Sequence, residues 1–549
     1  MDAKFGMFIH FGLYTLLGRN ENAVRGGPKS EYAKIMKDFN PVKFDAEEWV
    51  KLAVDAGAKY IVPTAKHAEG FCLWNTKLSR YNVMNTPFKR DIILELAEAC
   101  AKHNIRLGLY VNINTWLSEN DYTAKTYYDF FSGQISELMS NYGKISSVWF
   151  DHQDDLLPFE SVKKIVEYIH KKQPECVVND RGIELSGECL PFGDYLSPES
   201  FIPEYIDEQH LPFECCDSIC KNSWGYDQER HYWSSRELIR RFSKAFSLGG
   251  NYLLNIAPMP DGQIDHEQVS RMHDIGRWVK YAGNNFFKTQ PCDLKVMDPA
   301  TLEYKKIGVV TKNKNSYYLH LHTWPACSDV CVPNVSGDIK KIQLAGYSET
   351  LTSDIVTREV NKNSIDQPSG LFIHGLPANP VNPWINIIRV DFKAEPVIDT
   401  AAINKSKNKV VKFLSRESAY LKAETGIFKA EGGIPWHEIN RFYNGNTSIG
   451  HIIRYGCQVI WNIDVEKSAT YDVYIDLGTI SLQAGASYSI TVGKSSVSGI
   501  TEENGPYDKY KRYYLGKMKI NKGRQEVVFK VDKLKGTFSD IHNIVFIPA

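Results

Sequence analysis

Charge of one sign is the first thing this sequence lacks. Its 65 Lys and Arg balance 65 Asp and Glu, for a formal net charge of zero. That balance gives no footing for a nucleic acid or an anionic membrane as partner, since both reward a basic surface. There is no run of about 18 apolar residues, so nothing reads as a membrane-spanning helix. The N-terminus also lacks the basic, then apolar, then small-residue order of a secretory signal. It opens almost directly on a strand-like run, Phe5-Gly-Met-Phe-Ile-His10, an abruptness expected of a trimmed or processed chain. The 11 cysteines are odd in number and cannot all pair. Their clusters (Cys215, Cys216 and Cys220; Cys327 and Cys331) have no companion His or Cys that completes a zinc set. Free or buried thiols are expected, with no metal and no cofactor.

A length of 549 residues is too great for one core and predicts two to four domains. Up to about residue 284 strands alternate with helices, the signature of a parallel α/β arrangement. Strands are expected at 5–10, 59–64, 106–111, 145–151, 175–179, 194–197, 211–214 and 251–256. Helices are expected at 45–56, 91–103, 122–142, 160–172, 234–248 and 266–281. The first helix opens on a D-x-x-E capping box, Asp45 to Glu48. About eight strands with weaker helices in the second half predict a (β/α)8-like TIM barrel over 1–284. The pattern then changes to short alternating strands, predicting a β-sandwich over 285–395. A Lys- and Asn-rich connection follows, and 396–549 again alternates with period 2. The fold class is therefore α/β, a barrel followed by two all-β sandwich domains.

The stretch most suggestive of chemistry is Ile145-Ser-Ser-Val-Trp-Phe-Asp151. An apolar strand of this length suits a parallel sheet covered on both faces. It delivers one carboxylate to its C-terminal end, where barrels of this kind build catalysis. An acid in that place also serves as an ordinary helix cap or arginine partner, so the neighbouring loops decide. In a regular strand Trp149 and Asp151 face the same side, which places both in one pocket.

Those loops occur in a distinctive order: Phe5-Gly-Met-Phe-Ile-His-Phe-Gly-Leu-Tyr14, Glu31-Tyr32, Ala65-Lys-His-Ala-Glu-Gly-Phe-Cys-Leu-Trp74, Arg90-Asp91, Gly108-Leu-Tyr110, Val148-Trp-Phe-Asp151, Asn179-Asp-Arg-Gly182, Ser197-Pro-Glu199, Ser223-Trp-Gly-Tyr226 and Gly249 to Pro258. The series resembles the α-L-fucosidases of glycoside hydrolase family 29 over about residues 4–285. The last 130 residues resemble a jelly-roll carbohydrate-binding module. The resemblance implies an exo-acting, retaining hydrolysis of terminal α-L-fucose from glycans, through a covalent glycosyl-enzyme. It implies Asp151 as nucleophile and a second carboxylate as acid/base, with Glu199 and Glu214 as the two candidates. Glu199 is favoured because it ends a strand as Asp151 does, and Pro198 disfavours helix there. The family's sugar-reading side chains map to His10, Glu31, His67, Tyr110, Trp149 and Arg181. A secreted or periplasmic setting is what the resemblance favours for a trimmed chain.

The sequence departs from the family at Ala68, where a second histidine is usual after His67; this bears on sugar specificity. The loop His152-Gln-Asp-Asp155 is more acidic than usual and has no assigned role. Two other readings remain open at this level. One is a fucose- or glycan-binding protein with an inactive barrel. The other is a hydrolase of a related α-glycoside, such as an α-galactoside.

Overall fold

A computed structural model describes residues 3–22, 34–115, 122–152, 156–181, 193–200, 202, 212–283, 286–300, 305–356, 369–399, 410–414, 417–422, 426–429, 438–441, 447–450, 457–505, 509–534 and 538–549. They fall into two compact units that meet in sequence between Ile398 and Asp399.

The first unit begins with seven parallel strands: β1 (Phe5–Ile9), β2 (Tyr60–Lys66), β3 (Arg106–Asn112), β4 (Ile145–Asp151), β5 (Val177–Val178), β6 (Glu214–Ser218) and β7 (Asn251–Ile256). Their order is β5-β4-β3-β2-β1-β7-β6. β1 and β2 are buried along their whole length, as apolar strands under helices must be. Gly6 is required in β1. A Cβ there would stand 2.3 Å from the Tyr60 ring, so no larger residue lets β1 and β2 approach.

The eighth stave is the segment 195–199. Parallel bridges Asn179↔Tyr195, Leu196↔Phe213 and Glu199↔Cys216 join it to the chain on both sides and close the barrel. On the β6 side the rungs are Leu196 N–H to Pro212 O (2.8 Å), Glu214 N–H to Leu196 O (2.8 Å), Cys216 N–H to Pro198 O (3.0 Å) and Ser200 N–H to Cys216 O (2.8 Å). The missing rung is the one Pro198 cannot donate. That is why this stave is stitched rather than continuous. The strands expected at 194–197 and 211–214 are thus displaced to 195–199 and 214–218, and the one expected at 175–179 shrinks to two residues.

Helices α1 (Ala46–Asp55), α2 (Ile92–His103), α3 (Ala124–Asn141), α4 (Phe159–Lys172), α5 (Ser235–Ser247) and α6 (His266–Ala282) accompany the strands. Asp45 caps α1 by accepting from Glu48 N–H at 3.2 Å, and Asp91 caps α2 through Leu94 N–H at 2.9 Å. None of the described helices is long and apolar enough to cross a membrane. The remainder of this unit is an eight-stranded antiparallel sheet from Gln290 to Phe392 with a two-stranded ribbon. Phe246 of α5 meets His320 edge-on at 5.6 Å, and Trp278 of α6 donates to Ile385 O at 3.0 Å. These contacts seat the sheet on the barrel's last two helices.

The second unit is all β, with two six-stranded sheets among its described residues. Strand Gln458–Val465 lies in one and Ala469–Gly478 in the other, with Trp461, Tyr471, Val473 and Ile475 buried in its core.

Candidate active site

The C-terminal ends of the barrel strands meet in one cleft of about 150 Å³. Its lining contains Asp151, Glu199, Arg181, His10, His67, Tyr110 and Trp149, together with Phe8, Glu21, Asn22, His152, Cys216 and Trp224. Asp151 is the last residue of β4, and Trp149, two residues earlier, shares its face. His10 follows β1, His67 follows β2, and Arg181 follows β5.

Arg181 is the hub. Its Nη1 lies 3.3 Å from Asp151 Oδ1 and 2.5 Å from Glu199 Oε2. One nitrogen touching both acids holds those two oxygens within about 5.8 Å of each other. Retaining glycosidases keep their carboxylates about 5–5.5 Å apart. The guanidinium also lies over the Trp149 ring, 4.9 Å from its centroid, a placement that fixes its plane.

Each carboxylate has further partners. Tyr110 donates its hydroxyl to Asp151 Oδ2 at 2.9 Å, and His152 Nδ1 stands 3.3 Å from the same oxygen. Burial pushes the Asp151 pKa up, but Arg181, His152 and Tyr110 outweigh it and leave the group below the usual carboxylate range. Asp151 is therefore held ionised, as a nucleophile must be. Trp224 Nε1 donates to Glu199 Oε1 at 3.1 Å. The backbone turns sharply after both acids: His152 has φ 49° and Ser200 has φ 54°. Left-handed backbone is uncommon for such residues, and here it ends the stave just where each side chain is presented.

The two histidines have opposite characters. Burial and the neighbouring His67 push the His10 pKa down to about 3. Its Nδ1 is 2.7 Å from Asn255 Oδ1. The Asn255 amide nitrogen donates to Trp224 O at 2.7 Å, so Oδ1 is the acceptor and His10 Nδ1 carries the proton. Nε2 of His10 is then a lone-pair acceptor. His67 is buried too, which disfavours its charge, but Glu69 prevails and its pKa is raised. Its Nδ1 is 3.4 Å from Glu69 Oε2. The site thus offers one acceptor imidazole and one donor imidazole, with ring centroids 5.5 Å apart, a pattern that can read adjacent hydroxyls.

Glu214 stands elsewhere. It is the first residue of β6, opposite Asn251, the first residue of β7. It accepts from Tyr60 Oη and from Trp149 Nε1 at 3.2 Å, and it does not line the cleft. The expectation of a strand ending at Glu214 put this acid at the wrong end of the barrel: the strand begins there. Tyr110, expected to read a sugar hydroxyl, lines the cleft and donates its hydroxyl to Asp151. Glu31, and 153–155 of the acidic loop, lie outside the described residues. Ala68 is fully buried.

Sequence reasoning missed Glu21, which accepts from Trp224 N–H at 3.0 Å and Gly225 N–H at 2.8 Å. It also gave no role to Trp224, although Ser223-Trp-Gly-Tyr226 was a visible signal.

Two carboxylates on the staves that flank β5, one held ionised, are the arrangement of a glycoside hydrolase. The profile of the family described as Alpha-L-fucosidase matches residues 1–284. The tissue alpha-L-fucosidase of Homo sapiens is 29% identical over 419 residues, covering 69% of this chain and 84% of that protein. Among solved structures, alpha-L-fucosidase isoenzyme 1 from Paenibacillus thiaminolyticus superposes with a TM-score of 0.63 at 27% identity, covering 71% of this chain and 97% of that one. A GH29 alpha-L-fucosidase from Bacteroides thetaiotaomicron, trapped as a covalent intermediate with 2-fluoro-fucosyl fluoride, gives 0.62 at 26% identity over 71% of this chain and 94% of that one. This chain belongs to the α-L-fucosidase family.

Proposed function

We propose that the chain removes terminal α-linked L-fucose from glycans or oligosaccharides by double displacement, with Asp151 as nucleophile and Glu199 as acid/base. The observation that carries this assignment is the single Arg181 nitrogen shared by Asp151 and Glu199. In the first step an Asp151 oxygen attacks C1 of the fucosyl ring while Glu199 gives its proton to the glycosidic oxygen, and the aglycone leaves. A covalent fucosyl-Asp151 ester remains. In the second step Glu199 takes a proton from water, the water oxygen attacks C1, and the C1–O bond to Asp151 breaks. Two inversions leave the anomeric configuration unchanged.

The side chains around the ring fit that substrate class. His10 Nε2 accepts from one hydroxyl and His67 donates to its neighbour. Phe8, Trp149 and Trp224 offer aromatic surface to the C5 methyl group, Phe8 lying 5.3 Å from Trp149 and 6.1 Å from Trp224 between ring centroids.

Hydrolysis of para-nitrophenyl α-L-fucoside by the parent protein, Asp151→Ala and Glu199→Gln, each with and without azide, tests the assignment. Both variants lose turnover. Azide attacking in place of Asp151 gives the β-fucosyl azide from Asp151→Ala. Azide replacing water gives the α-fucosyl azide from Glu199→Gln. A parent protein that releases no nitrophenol, or a Glu199→Gln variant of undiminished activity on an unactivated fucoside, refutes the reading.

A further inference from the structure

Outside the barrel, the second unit carries an unusual outer face. Strand Ala469–Gly478 alternates, with Tyr471, Val473 and Ile475 in the core, so Asp472, Tyr474 and Asp476 point the other way. Register sets Tyr474 opposite Tyr514 and Asp476 opposite Arg512 on strand Lys511–Ile520. On the other flank Asp476 faces Asn543 of strand Asp540–Pro548. Tyr420 of strand Ala419–Lys422 pairs across the same strand with Val545.

Two features of this face point to a ligand. The first is exposed aromatic surface. Tyr514 is 54% exposed and Tyr420 45%, and Tyr474 stands 5.2 Å from Tyr514 between ring centroids. Exposed rings are an unfavourable way to finish a sheet unless something covers them. The second is a preset polar centre between them. Arg512 Nε and Nη2 donate to the Asp476 carboxylate at 2.7 and 2.9 Å, and Asn543 Nδ2 adds a third contact at 3.3 Å. Asp476 is only 6% exposed, so the fork is fixed before any ligand arrives.

The charge pattern selects the occupant. Arg512 is matched by Asp476, and Lys517 by Asp472 at 3.6 Å. With Arg512 and Asp476 offsetting each other, the polar centre carries no net charge of its own and gives an anion no charged foothold there. The face suits a neutral ligand that is apolar on one side and dense in hydrogen-bonding groups at its edge. A pyranose has that form: its C–H face stacks on tyrosine and its vicinal hydroxyls meet an Asp–Arg–Asn centre. The backbones of Tyr420 and Tyr514 stand three strand spacings apart, about 14 Å, a span that calls for more than one ring. We infer that this face, built on Tyr420, Tyr474, Tyr514 and the Asp476–Arg512–Asn543 centre, binds a neutral oligosaccharide at a site separate from the barrel cleft. The inference goes beyond the proposed reaction and does not depend on it.

The test is affinity electrophoresis of the full chain through gels containing desialylated mucin, with saturating L-fucose to occupy the barrel cleft. The comparison variant is Tyr420→Ala with Tyr514→Ala, both exposed positions. The parent chain is retarded, and the double variant binds about tenfold more weakly, the order expected from two lost stacking contacts. Arg512→Met also loses retardation. Hydrolysis of para-nitrophenyl α-L-fucoside and thermal stability stay unchanged in the tyrosine variant. Failure of that hydrolysis in every form, the parent included, counts against the barrel reading alone. A parent chain that is not retarded, a double variant retarded as strongly as the parent, or equal retardation by mucin stripped of its glycans overturns the inference.

Discussion

Trp149 donates its indole proton to Glu214 at 3.2 Å, joining the floor of the cleft to the opposite end of the barrel. Burial raises the Glu214 pKa to about 7, although Tyr60 and Trp149 both work to lower it. Between its ordinary value of 4.5 and about 7 the folded chain therefore holds a proton that the unfolded chain has released. The contribution is full below about pH 4.5 and is lost as pH rises through about 7. Glu214→Gln stays neutral and removes that slope. Its amide nitrogen faces one of two donors, at a cost of about 1–3 kcal/mol. Thermal unfolding of both proteins across this pH window checks it; parallel Tm profiles defeat the prediction. Glu214→Gln also keeps azide-independent turnover. Azide rescue of a dead Glu214→Gln would move the acid/base assignment from Glu199.

Arg181→Met removes the cation that most lowers the Asp151 pKa against burial. The Asp151 pKa then rises, so the acid limb of kcat/KM against pH moves to higher pH. The variant also loses the clamp between two carboxylates, and kcat falls on the order of a hundredfold. The pH–rate profile with para-nitrophenyl α-L-fucoside is the measurement. An unmoved acid limb would show that Arg181 does not set the charge of Asp151.

Trp224→Phe deletes the hydrogen bond to Glu199 Oε1 and leaves an aromatic ring in place. A misaimed acid matters only when the leaving group needs its proton. The variant is expected to lose about tenfold in kcat on a poorly activated fucoside and little on a dinitrophenyl fucoside. Equal losses on the two substrates would assign Trp224 to sugar binding instead.

Ala68→His introduces the family's usual residue into a position with no exposure. Because His67 and Glu69 already fill the adjoining space, 5% and 2% exposed, the larger ring overpacks it. A stability loss of about 1–3 kcal/mol is expected, read from urea or thermal unfolding. A variant as stable as the parent would mean that the loop has room for a second imidazole.

Legibility in the sequence followed locality. The β4 strand could be read because a short apolar run ends in an acid, α1 because its cap sits three residues from its partner, and α2 because its apolar residues recur at helical spacing. The eighth stave was blurred by Pro198, which removes one rung, and a three-residue displacement of β6 changed Glu214 from an acid ending a strand to one beginning it. Contacts such as Glu21 with the Trp224 backbone, 203 residues apart, have no local pattern to betray them. Nor does the shared Arg181 nitrogen, which arises only when β4, β5 and the eighth stave are closed around it.

The stave that carries Glu199 is also the barrel's seam, joined on one side to a strand of two residues and missing a rung on the other. With Glu199 as the proposed acid/base, substitutions along that seam would re-aim the proton donor toward a different leaving group. Asp151 has its backbone on a continuous seven-residue strand outside the seam. Within this architecture the half of the reaction that recognises the departing alcohol is free to diverge, while the half that captures fucose stays fixed.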